Sequence, residues 1–184
     1  MRVIGLAGWS GAGKTTLLIR LIPELKGRGL TVSTVKHAHH AFEIDQPGKD
    51  SFRHREAGAE QVLIASSRRV AIVQELRGRP EPSLAELLLR LSSVDLVIVE
   101  GFKRERHPKI EIHRVANGRP FLHRDVPNVV AIATDAGLAD HALPAVRLDD
   151  VRAVADAALA AARPLAEVLG LLAESAEPLP APAG

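Results

Sequence analysis

Gly8-Trp9-Ser10-Gly11-Ala12-Gly13-Lys14-Thr15 decides the fold. It fills every position of G-x-x-x-x-G-K-[ST]. The apolar run Val3-Ile4-Gly5-Leu6-Ala7 precedes it as a strand, and a helical pattern opens at Thr15. Glycines let such a loop turn successive N–H groups inward around polyphosphate oxygens. Lys14 is placed to reach the β- and γ-phosphates, and the Thr15 hydroxyl to hold Mg²⁺, with Thr16 beside it. The helix adds its unpaired N–H groups and the positive end of its dipole to the same anion. A nucleotide or another phosphate-rich ligand is the expected occupant.

The remaining composition narrows the choices. A chain of 184 residues is expected to form one domain with a sizeable core. With 46% hydrophobic residues but only 3% aromatics, that core is built from Leu, Val, Ile and Ala. The absence of cysteine removes disulfides and thiolate metal sites and fits a cytoplasmic setting. The first strand begins at once, so no signal peptide is expected, and no apolar stretch is long enough to span a membrane. A net charge of +2 without interleaved aromatics argues against nucleic acid.

Strand and helix patterns alternate along the chain. Arg2–Ala7 reads as a strand, followed by a helix towards Lys26 in which Pro23 predicts a kink or a stop near Ile22. Leu30–Lys36 is a β-branched strand, His37–Asp50 a long polar loop, and Ser51–Gly58 a short helix. Gln61–Ala65 and Val70–Gln74 form a hairpin across four polar residues. Ser83-Leu84-Ala85-Glu86 caps a helix reaching Leu91. Leu96-Val97-Ile98-Val99 marks a strand buried on both faces, and Lys109–His113 a strand with alternating character. Asn128–Thr134 and Ala145–Leu148 complete the strands. Asp149 or Asp150 opens a helix to Ala162, and Pro164–Glu174 forms another. The expectation is an α/β fold: a mostly parallel sheet with helices on both faces and one hairpin. Residues 1–162 form the phosphate-loop domain, and residues 163–184 a helix with a disordered Pro/Ala-rich tail.

Ligands of such sheets sit beyond the carboxyl ends of the strands. That rule selects Lys36, His37, His39 and His40 after the second strand, Glu100 and Gly101 after the buried one, and Thr134 and Asp135 after a later one. Asp95 and Glu100 are five residues apart, roughly 16 Å along a strand, so only Glu100 reaches the phosphate edge. Glu100 is the candidate second carboxylate of the metal shell or the group that orients a water. The histidines follow no zinc-binding spacing, so a role near the phosphates is preferred. Asp45 and Asp50 could join the metal shell through water. Asp135 carries two readings. Its carboxylate could accept the N1–H and N2–H of guanine, which favours guanine over adenine, or it could form a turn before Gly137.

Taken together, Gly8–Thr15, Lys36-His37-Ala38-His39-His40, Asp45, Gly48-Lys49-Asp50-Ser51, Arg55, Ala57-Gly58-Ala59 and Asp95–Lys103 resemble the MobB family over about residues 1–135. The family resemblance implies a SIMIBI-like phosphate-loop NTPase fold and a homodimer that binds GTP and Mg²⁺ and hydrolyses GTP slowly. It also implies work beside the guanylyltransferase MobA, on molybdopterin-guanine dinucleotide. Ile132-Ala133-Thr134-Asp135 stands where many GTPases carry Asn-Lys-x-Asp, and no family motif is matched after about Ala145. Two rivals remain. One is a small-molecule kinase whose acceptor lies near Lys36, Arg53 and Arg55, although Arg77-Gly78-Arg79-Pro80 is short for a water-excluding lid. The other is a nucleotide-binding scaffold without turnover.

Overall fold

The computed structural model describes residues 1–38, 44–139 and 141–176. His39, His40 and the expected tail from residue 177 lie outside the described residues. In chain order the elements are β1 (Arg2–Ala7), α1 (Lys14–Gly27), β2 (Val32–Lys36), α2 (Asp50–Glu56), β3 (Gln61–Ala65) and β4 (Val70–Gln74). They continue with α3 (Leu84–Leu89), β5 (Leu96–Glu100), β6 (Lys109–His113), a 3₁₀ turn (Val115–Asn117), β7 (Val129–Thr134) and β8 (Ala145–Arg147). The last elements are α4 (Val151–Ala161), β9 (Arg163–Pro164) and α5 (Leu165–Ala176).

Two compact units result. The first comprises Met1–His37 with the chain from Leu84 onward, the second Ala38–Ser83. The second unit lies inside the stretch expected to form the phosphate-loop domain. β9 pairs antiparallel with the start of β1, Arg2 opposite Pro164 and Val3 opposite Arg163. Val168 and Leu172 of α5 bury themselves with Val3 and Val97. Apolar burial on β1 makes the C-terminal helix part of the main core.

The main sheet runs β2-β5-β1-β6-β7-β8, with neighbours along this path parallel. One face packs Ile4, Leu6, Ile98 and Ile110 under α1 and α4, through Leu21, Leu25, Val154 and Ala158. The other packs Val3, Val97 and Val99 under α3 and α5. Helices on both faces of a parallel sheet explain the unbroken apolar run of β5. In the second unit β3 and β4 form their own antiparallel hairpin, with Leu63 opposite Ile72 and Ala65 opposite Val70.

Three local expectations need correction. α1 continues through Pro23 to Gly27, so the stop near Ile22 does not occur. Pro23 is exposed while Leu21 and Leu25 are buried, so the missing hydrogen bond falls on the solvent side and packing carries the helix past it. β2 begins at Val32, because the N–H and hydroxyl of Thr31 are taken by Asp95 Oδ2 at 2.8 and 2.6 Å. Asp95 is thus a strand-entry clamp, as its distance from the phosphate edge required.

β6 departs most from its sequence pattern, for all five residues are buried. Its polar side chains turn into the fold and find backbone partners there. Lys109 Nζ donates to the carbonyls of Glu105, His107 and Pro127. Glu111 accepts from the backbone N–H of Leu122 at 2.5 Å and of His123 at 3.0 Å. His113 bonds Thr134 Oγ1 at 3.0 Å and the Arg119 carbonyl at 3.2 Å. Alternation in sequence here separates two buried faces, one apolar and one hydrogen-bonded.

His107 lies against Gly5 of β1, where a methyl group would stand 2.4 Å from Nε2. The side chain is fully buried, and neither ring nitrogen has a hydrogen-bond partner among the described residues. Burial, aided by the charge of Lys109, lowers its pKa to about 3. Above pH 6.5 the imidazole is neutral in both folded and unfolded chains. Between there and about pH 3 only the unfolded chain takes up the proton, so stability drops by up to about 1.4 kcal/mol for each unit that the pH is lowered. Urea titrations across this range should give a shallower pH slope in His107→Leu than in the wild type. Equal slopes would show that His107 does not titrate differently on folding.

Candidate functional site

Parallel pairing brings the strand ends that matter to one edge. Leu6 and Lys36 both lie opposite Glu100, while Ala7 lies opposite Glu111 in β6. The loop leaving β1 therefore opens beside Glu100 and the end of β2. Among the described residues no side chain caps α1, whose N-cap is Gly13, and its first turn holds no acid. Its leading N–H groups are the unpaired donors of a helix start, suited to an anion.

Within the loop, Lys14 Nζ donates to the carbonyls of Gly8 and Trp9, both at 3.0 Å. Ala12 is buried and donates its N–H to the Trp9 carbonyl at 3.1 Å, which closes the turn. Thr15 and Thr16 are exposed at the head of the helix, available to a ligand. Burial lowers the pKa of Lys14; Glu100 opposes the shift, and the positive charges of Lys103 and Lys36 add to it. Three lysines around one carboxylate make a field suited to a polyanion with a divalent cation.

On the β5 side, the His37 N–H donates to the Glu100 carbonyl at 2.9 Å, and its ring lies 4.8 Å from that of Phe102. Gly101 has φ +97°, and a methyl group there would stand 2.7 Å from His37 Cβ. On the other side the chain after β6 runs along the loop. Asn117 Nδ2 donates to the Ser10 carbonyl at 3.0 Å, and its Oδ1 would stand 3.1 Å from a methyl at Gly11. Trp9 Nε1 donates to the Pro120 carbonyl at 2.8 Å, with Lys103 and Arg119 5.2 and 5.5 Å from the indole centroid.

The structure thus gathers Gly8–Thr16, Lys36, His37 and Glu100. Asp135 lies at the same edge, where Oδ1 accepts the Val115 N–H at 2.7 Å, a contact across to the turn after β6 that neither the base reading nor the turn before Gly137 anticipated. Asp45 belongs to the second unit, where it accepts from Ser51 Oγ at 2.7 Å and faces Arg55 Nε at 3.5 Å. Arg55 also bonds Glu75 at 2.5 Å, while Arg77 donates to the carbonyls of Arg55 and Ala59, and Arg79 to Glu60. Of the arginines of the kinase reading, Arg55, Arg77 and Arg79 thus bond within their own unit. Arg114, Asn117 and Arg119 went unread, although the strand-end rule, applied to Lys109–His113, points straight at Arg114.

An uncapped helix start, a lysine folded over its own loop and a carboxylate on the neighbouring strand define a phosphate-loop protein of the NTPase fold. The chain belongs to the family of molybdopterin guanine dinucleotide synthesis protein B, MobB, whose family model matches residues 3–135. It is 45% identical over 136 residues to the molybdopterin-guanine dinucleotide biosynthesis adapter protein of Haemophilus influenzae, covering 72% of this chain and 74% of that one. The adapter protein of Escherichia coli is 42% identical over 158 residues, 84% of this chain and 89% of its own. A crystal structure of Bacillus subtilis MobB shares the fold, with a TM-score of 0.68 at 24% identity, covering 89% of this chain and 99% of that one.

Gly101→Ala tests the β5 side of the site. A positive φ and the missing space beside His37 should together cost about 1–3 kcal/mol, read as a lowered urea midpoint. An unchanged midpoint would mean that the turn relaxes freely and does not fix His37.

Proposed function

We propose that this chain binds GTP with Mg²⁺ in the Gly8–Thr15 loop and serves molybdopterin-guanine dinucleotide biosynthesis as an adapter beside the guanylyltransferase MobA. The observation that carries this reading is the uncapped start of α1 beneath a loop-folded Lys14, opposite Glu100. Membership in a family of adapter proteins supplies the pathway. Loop N–H groups and Lys14 would bind the phosphates, with Lys36 and His37 bordering the terminal end. The residues present fit the metal: Thr15 offers a hydroxyl at the helix start and Glu100 a carboxylate at the same edge. A divalent cation, when bound there, neutralises charge between the β- and γ-phosphates. Glu100 would also be the group to orient a water for the slow hydrolysis that belongs to this reading.

The second unit supports the homodimer. Leu63, Val70 and Ile72 line one face of the hairpin and are each more than 60% exposed. An isolated two-stranded hairpin is marginal in water, and an apolar face of this kind is suited to a second copy.

Incubation with GTP, ATP and small-molecule acceptors, following both phosphate release and transfer, separates GTPase from kinase. Phosphoryl transfer to an acceptor would overturn the adapter reading. Lys14→Ala should weaken GTP–Mg²⁺ binding about ten- to a hundredfold in calorimetric titration, the value of a charge-assisted contact of roughly 1.5–3 kcal/mol. Full affinity in the folded variant would place the nucleotide elsewhere. Glu100→Gln should remove the Mg²⁺ dependence of binding or turnover, whereas Asp95→Asn should touch only stability. The reverse pattern would contradict the assignment of the metal edge.

A further inference from the structure

The turn after β6 has no part in the reading so far, yet it touches the phosphate loop at three places. Trp9 and Ser10 are bonded to it through Pro120 and Asn117. The third contact is Arg114, whose guanidinium lies against Gly13, the residue before Lys14. A methyl group at Gly13 would stand 3.2 Å from Nη2 and 3.5 Å from Nε. The carboxylate facing Arg114 is Asp135, with Oδ2 at 3.8 Å, beyond hydrogen-bond range, and 41% of the arginine side chain is exposed. Asp135 instead spends Oδ1 on the Val115 N–H, which fixes the turn that carries Arg114. The turn closes on itself as Asn117 N–H donates to the Arg114 carbonyl at 3.0 Å.

We infer that Arg114 is a nucleotide-contacting residue of the phosphate-loop site, and that Asp135 is the residue that positions it. The inference rests on the proposed nucleotide reading and deepens it. Sheet order says which part of the ligand Arg114 meets. Glu100 and Lys36 end β5 and β2, on one side of β1, and there the terminal phosphate and its metal belong. Arg114 and Asp135 directly follow β6 and β7, on the other side, which leaves the nucleoside-proximal phosphate for Arg114. A planar guanidinium with five donors suits a phosphate flanked by loop N–H groups, and its loose ion pair leaves donors to offer.

The test is calorimetric titration of the full chain with GTP–Mg²⁺ and GDP–Mg²⁺. Arg114→Ala should weaken both nucleotides by the same factor, about tenfold, because the contact is common to both. Arg114→Lys should recover part of the loss, and the melting temperature should stay near that of the wild type. Asp135→Asn should weaken both nucleotides less, and adding it to Arg114→Ala should cost nothing further, the signature of two residues acting as one. Wild-type affinity in folded Arg114→Ala overturns the inference while leaving the nucleotide reading standing. Selective loss of GTP overturns the assigned end. A switch of Asp135→Asn from GTP to xanthosine triphosphate would make Asp135 a base reader and overturn its positioning role. A wild-type chain that binds neither nucleotide overturns both readings.

Discussion

The parallel pairing of β1 with β5 is the constraint on which the rest depends. Arg2 to Leu6 lie opposite Leu96 to Glu100 without a slip, and both strands are buried on both faces. A slip by one residue would turn every side chain to the other face, so α1 and α5 together hold the register. The same register sets the phosphate loop beside Glu100. At the far end, Asp95 fastens β5 to Thr31 as β2 begins. The two acids of one strand thus divide between stability and the candidate chemistry by position alone.

A second constraint lies on the β6 side. Burying Lys109, Glu111 and His113 would be costly without partners, and the chain between β6 and β7 supplies each with one or more in the Pro127 and Arg119 carbonyls and the N–H groups of Leu122 and His123. That same chain braces the phosphate loop through Asn117 and Pro120. Hydrogen bonding in the core therefore determines where the loop's outer wall stands. Polar burial with every partner in place is specific about geometry where apolar burial is tolerant.

Much of this was legible in the residues. The phosphate loop, the β5 run and the hairpin carry periodic or motif signals, and β1, β3 and β4 lie at the bounds their patterns predict. The β6 strand misled because alternation of apolar and polar residues ordinarily means one wet face, and only tertiary partners convert it to two buried ones. Pro23 misled because its cost depends on which side of the helix it faces. The division at Ala38 and Ser83 leaves no mark in composition, and the junction of β9 with β1 is a pairing of two residues. At the site, Lys14, Thr15 and Glu100 follow from motif and strand direction. Arg114 and the engagement of Asp135 with Val115 depend on a long connection folding back, which spacing does not reveal.

The phosphate loop is flanked by two segments, after β5 through Lys103 over Trp9 and after β6 through Asn117 and Pro120. The measurement that tests the central claim most directly is a crystal structure of the chain with a non-hydrolysable GTP analogue and Mg²⁺. It should show the triphosphate on the N–H groups of residues 11–15, Lys14 turned from the Gly8 and Trp9 carbonyls to the phosphates, and the metal between Thr15 and the Glu100 edge. A nucleotide seated elsewhere, with Lys14 still bonded to its own loop, would contradict it.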